Sequence, residues 1–85
     1  MITREKVAEQ LAAYLYHEIN LSELVHWAER AMMEEDFAPE HFEAIRDVVS
    51  HLGVADVRAF GLTWEDCEQL LNALGYNAEV RIVVA

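Results

Sequence analysis

The sequence predicts a mainly α fold: a small bundle of about four helices with one short C-terminal β-strand. Three observations predict it. Apolar residues recur at spacings of three and four over four separate stretches, the period of one helical face. Each stretch is bracketed by residues that start or stop helices, among them Thr3, Asn20, Pro39, Gly53, Thr63 and Gly75. Only the tail alternates apolar and polar side chains with a period of two. A chain of 85 residues makes a single helical domain, 1–85, and three glycines and one proline leave little room for long loops.

The first helix is expected over about 4–18. Thr3 can cap it through its hydroxyl, and Ile2 and Val7 have the spacing of a hydrophobic staple. Val7, Ala8, Leu11, Leu15 and Ile19 form the apolar stripe. Ala12, Ala13, Tyr14 and Tyr16 carry that character around the cylinder, so this helix is either central in the bundle or half buried in a partner. A second helix, about 21–34, starts from Asn20, with Glu23 completing a capping-box spacing and Ile19 and Leu24 a second staple. Leu21, Leu24, Val25, Ala28 and Met32 would be buried, flanked by Trp27 and Ala31. The short connection between these helices predicts an antiparallel hairpin.

Glu34-Glu35-Asp36 opens a connecting loop, and Pro39 suits the first turn of a third helix over about 39–52. Its stripe would be Phe42, Ile45, Val49 and Leu52, ended by a left-handed Gly53 with Val54 packed back on Val49. Residues 56–60 fit either a short helical turn, which we prefer, or a short strand. Thr63 and Asp66 resemble a capping box for a fourth helix, about 64–74, with Cys67, Leu70, Leu71 and Leu74 inward. Gly75 and Tyr76 suit a Schellman stop. The strand is expected over about 79–84. It must pair with residues 56–60, with its own copy in a homodimer, or with a partner protein, because a lone strand leaves its amides unpaired.

Sixteen acidic residues face six basic ones, giving a formal net charge of −10 on a chain that is 54% hydrophobic. Such a chain folds and surrounds its core with a negative field. That field opposes nucleic acid and anionic membranes and attracts basic proteins. No apolar run reaches the roughly 18–20 residues that span a bilayer. One cysteine allows no internal disulfide, and the segment from Met1 to Lys6 has no signal-peptide core, so a cytoplasmic protein is expected.

Catalytic and metal chemistry find little support. Glu23 and His26 have the Glu-x-x-His spacing of di-iron bundles, but such sites need two pairs and two further glutamates. Asp47 and His51 lie four apart, yet two ligands do not fill a zinc site. His17, His26, His41 and His51 read as solvated surface residues. Cys67 lies on an apolar stripe, where burial disfavours the thiolate. Ser50 and His51 are adjacent and point apart on a helix. No glycine-rich loop could cradle phosphate. We therefore expect no enzyme activity, no metal and no cofactor. The residues that stand out for partner binding are Glu34, Glu35, Asp36, Glu40, Glu43 and Asp47, opposed within that segment only by Arg46. Their ordinary role would be a solvated loop and helix start; their functional role would be a docking face for a basic protein.

The hairpin from Leu11 to Ala31, with its Ile19-Asn20-Leu21-Ser22-Glu23-Leu24 turn, resembles the start of colicin D-type immunity proteins. That resemblance implies an acidic helical inhibitor occupying the basic cleft of a nuclease toxin. The end, Leu70 to Tyr76 followed by Glu79 to Val84, is similar to the tail of helix-turn-helix antitoxins, where a last helix and strand build a dimer. It implies a dimeric transcription regulator. The helices expected at 39–52 and 64–74, however, carry mostly carboxylates where DNA recognition needs Lys, Arg, Asn or Gln. The chain as a whole resembles small acidic helical proteins of bacteria. The leading expectation is a protein-interaction module, an acidic inhibitor of a basic partner. The alternatives are an antitoxin-like regulator and a small metal-binding or catalytic bundle.

Overall fold

Thr3 begins the first helix as its hydroxyl allows, accepting a hydrogen bond from the Lys6 amide at 3.2 Å. The computed structural model in which this is seen describes residues 1–34, 36–57, 62–79 and 84. Helix α1 runs Arg4–Leu15, and the staple residues Ile2 and Val7 are both buried. It stops short of the expected end at residue 18. His17 enters the left-handed region at φ 63°. Its amide donates to the Tyr14 carbonyl at 3.1 Å and the Glu18 amide to the Ala13 carbonyl at 2.8 Å. These are the two bonds of a Schellman stop, made here without glycine.

Helix α2, Leu21–Glu34, occupies the expected span. Asn20 and Glu23 cap it reciprocally: the Glu23 amide donates to Asn20 Oδ1 at 2.8 Å and the Asn20 amide to Glu23 Oε1 at 3.1 Å. After α2 the chain meets a contact that periodicity does not reveal. The Ile2 amide donates to the Asp36 carbonyl at 2.7 Å, and the Ala38 amide donates to the Ile2 carbonyl at 2.9 Å. They form an isolated parallel bridge between Ile2 and Phe37, the one β pairing among the described residues. It brings the start of α1 to the end of α2, as an antiparallel hairpin requires.

The same bridge corrects the third helix. It keeps the chain extended through Ala38, and a residue before proline already disfavours helical backbone. Pro39 and Glu40 therefore lie ahead of the helix, which runs Phe42–Gly53 and is entered through left-handed His41, φ 62°. Gly53 does not stop the helix in a left-handed conformation; it is the last helical residue, and Val54, φ −116°, caps it. Val54 is 44% exposed rather than packed back on Val49. The Val57 amide then closes a turn on the Val54 carbonyl at 3.0 Å. The rest of the ambiguous stretch, 58–60, lies outside the described residues. So do residues 80–83 of the expected strand, and neither Glu79 nor Val84 is in a strand.

Helix α4, Trp64–Ala73, matches its expectation closely. The Asp66 amide donates to Thr63 Oγ1 at 3.1 Å and the Thr63 amide to Asp66 Oδ2 at 3.0 Å. Gly75 takes φ 95°, and the amides of Gly75 and Tyr76 donate to the Asn72 and Leu71 carbonyls at 3.0 and 2.9 Å. Arg4 closes this end from across the bundle. Its Nη1 donates to the Leu74 carbonyl at 3.3 Å, and its guanidinium carbon lies 5.5 Å from the Tyr76 ring centre. A cation at a helix C-terminus is favourable, and this one fixes the end of α4 against the start of α1.

The core joins Val7 and Leu11 of α1, Leu24, Ala28 and Ala31 of α2, Ile45, Val48, Val49 and Leu52 of α3, and Cys67 and Leu71 of α4, with Ile2 and Leu74. Of the expected core residues, Met32 is 49% and Phe42 43% exposed, and Leu21 is only half-buried. Ala31 and Val48 are buried as well, so the stripes of α2 and α3 keep most of their expected residues and shift only at one edge. The α2–α3 interface is the most extensive in the bundle. Met32 lies against Gly53, 4.0 Å from where a Cβ would stand.

Candidate protein-binding surface

The acidic segment extends from the end of α2 to the middle of α3. Glu34 ends α2 and Glu35 lies outside the described residues. Asp36, Glu40, Glu43 and Asp47 are all exposed. Asp36 is held by its backbone, whose carbonyl accepts the Ile2 amide. Glu40 sits in the turn before α3. Glu43 and Asp47 are four residues apart and so share one face of the helix.

Within this acidic segment lies Phe42, 43% exposed. Its ring centre is 6.0 Å from that of Phe37, at an interplanar angle of 55°, and the Arg46 guanidinium carbon lies 5.8 Å from it on another side. Arg46 also pairs with Asp47, Nη2 to Oδ1, at 3.2 Å. Both partners are mostly exposed, so the pair adds little stability; its effect is to hold the guanidinium beside the ring. The segment places a half-exposed aromatic residue between exposed carboxylates on both sides of it in sequence. Charge pattern alone finds the carboxylates. The exposed aromatic residue was missed because Phe42 fits the apolar stripe of α3, whereas in the structure it is the first residue of that helix and remains 43% exposed.

Burial, with a smaller push from Asp66, raises the Cys67 thiol to about 11, which keeps it protonated. The four histidines are all exposed, and no three potential ligands gather into a metal-holding group among the described residues. None of the helices is long and apolar enough to cross a membrane among those residues.

Two open cavities lie elsewhere, along α1 and α4. A groove of about 650 Å³ is bordered by Ala8, Ala12, Leu15 and Tyr16 of α1 and by Trp64 and Leu71 of α4. Tyr76 and the chain to Glu79 close its far side. A cleft of about 690 Å³ adjoins it at the α1–α2 turn, lined by Tyr14, His17, Glu18 and Glu23 and by Thr63 and Trp64. Leu15 and Trp64 border both. Sequence reasoning named neither cavity, although the all-round apolarity of α1 is the signal that one face would remain uncovered. Comparison with known proteins finds no matching family model, no matching curated protein and no matching solved structure.

Proposed function

We propose that this protein is an interaction module that binds a basic protein, acting as an acidic inhibitor of the immunity or antitoxin kind. The observation that supports this reading is the exposed set Asp36, Glu40, Glu43 and Asp47 in the same segment as half-exposed Phe42. A desolvated aromatic anchor supplies binding energy, and the surrounding charge selects partners and speeds encounter. The net charge of −10 extends the same field beyond the contact. Glu34 and Glu35 continue the acidic run in sequence and are included in the docking face on that ground.

The test is capture of partners from the source cell by three proteins at low and high salt: the natural chain, a fourfold variant (Asp36→Asn, Glu40→Gln, Glu43→Gln, Asp47→Asn), and Phe42→Ala. A basic partner retained at low salt should be lost at high salt, as screened charges require. It should also be lost from the fourfold variant and bound about tenfold more weakly or worse by Phe42→Ala. Capture that ignores both salt and the fourfold variant would refute the proposal.

A further inference from the structure

From the two cavities along α1 we infer that the α1–α4 groove is a docking site for an amphipathic helix of a partner, with a basic side chain of that helix entering the adjoining cleft. The inference starts from α1 itself. Sequence leaves two fates open for a helix apolar all round, central burial or a partner on its second face. Helix α1 packs on all three other helices, yet only Val7 and Leu11 of it are fully buried, so much of its apolar surface is not covered by the bundle. Ala8, Ala12, Leu15 and Tyr16 have helical spacing and border the groove; Ala8 and Leu15, on the edge of the core-facing stripe, also touch the core. Tyr16 is 77% exposed.

The shape favours a helix as occupant. From Ala8 to Tyr16 the stripe extends about 12 Å, a little over two helical turns. Ala8 and Ala12 form a floor without bulk, which lets a third helix approach to the 8–10 Å interaxial distance of packed helices.

Charge selects the kind of helix. The cleft presents Glu18 and Glu23 beside the rings of Tyr14 and Trp64, and no lysine or arginine among the described residues lines it. One Glu23 oxygen is occupied by the Asn20 amide; the other and the Glu18 carboxylate are the acceptors that remain. Carboxylates beside aromatic faces suit a guanidinium or ammonium group. A second copy of this chain fits less well, because it would bring its own negative field against the same residues. The inference deepens the proposed reading as a binder of basic proteins, but it places a contact on different elements.

The test is a titration of isotope-labelled protein, followed by its amide and indole resonances. The probe is a synthetic amphipathic helix of about fifteen residues with leucines at positions three and four apart and arginines flanking them. The expected result is perturbation centred on Ala8, Ala12, Leu15 and the Trp64 indole. Ala12→Arg should weaken binding at least tenfold, and the exposed substitution Glu18→Gln by a few-fold, with both variants showing the natural circular-dichroism spectrum. Perturbation confined to the start of α3, unchanged affinity in Ala12→Arg, or no perturbation at all would overturn the inference. So would groove resonances that move with protein concentration alone, which would mean that a second copy covers the site. Groove resonances that move on truncation after Glu79, without probe, would overturn it in favour of the chain's own tail. The fourfold variant separates the two readings. If it loses partner capture while Ala12→Arg leaves probe binding intact, the groove inference alone fails. If it captures normally while Ala12→Arg abolishes probe binding, the acidic-surface reading alone fails.

Discussion

Helix α4 begins at Thr63 with two reciprocal side-chain-to-backbone hydrogen bonds, whereas α3 begins at His41 with no side-chain cap and a left-handed backbone. The first start is local. Every group that defines it lies within four consecutive residues, and the same is true of α2 with Asn20 and Glu23. The second is imposed from a distance: Ile2 fixes Asp36 and Ala38, and α3 can form only once the chain has turned away from that bridge. A locally specified start is stable wherever the helix lies. A remotely specified one joins the acidic surface to the packing of the chain's second residue.

Removing the remote anchor should have the largest effect. Ile2 is 1% exposed, and Ile2→Ala should cost about 3 kcal/mol in urea unfolding, as core truncations of this kind do. If the comparison holds, hydrogen exchange should speed up at Ala38 and in the first turn of α3 more than in α4; uniform acceleration would contradict it. Next comes the pH response of α4. The folded Cys67 thiol is raised from an ordinary value of 9.0 to about 11. Its contribution is therefore fully present below the unfolded value and is lost as pH climbs toward 11. The loss should be of order 2 kcal/mol between those limits. Comparing urea midpoints of the natural chain and Cys67→Ala across that range isolates it, since other titrating groups are common to both. Equal pH slopes would count against the burial argument.

Thr63→Ala should cost about 1 kcal/mol by removing one capping bond, read as a shifted urea midpoint with fraying confined to the first turn of α4. The smallest effect belongs to His41→Gly. A non-glycine residue in the left-handed region is strained, and glycine relieves it at the cost of a more flexible unfolded chain. A gain of about 0.5 kcal/mol is expected in the same measurement. A loss there would mean that the imidazole makes a contribution that offsets its strain.

What sequence reveals follows the same division. Asn20 with Glu23, Thr63 with Asp66, and Gly75 with Tyr76 are signals in which residue type and spacing encode the bond itself, and α2 and α4 are found at their expected places. The end of α1 carries no such sign, because its Schellman stop is built on His17 rather than on glycine, the residue that marks such stops in sequence. The start of α3 is misjudged because Pro39 is a sound helix-start signal locally and is overruled by Ile2. In the candidate surface, the carboxylates Asp36, Glu40, Glu43 and Asp47 are legible from composition, while the exposure of Phe42, which helical periodicity places on the core-facing stripe, is seen only in the structure.

The clamp on Ile2 also bears on how the molecule is handled. Met1, 62% exposed, precedes a residue locked against Asp36 and Phe37, so any purification handle fused there would emerge next to the negatively charged loop. A polyhistidine leader in that position would add cationic groups beside the carboxylates at mildly acidic pH. It would thereby mimic a ligand, masking the surface in assays meant to find what binds it.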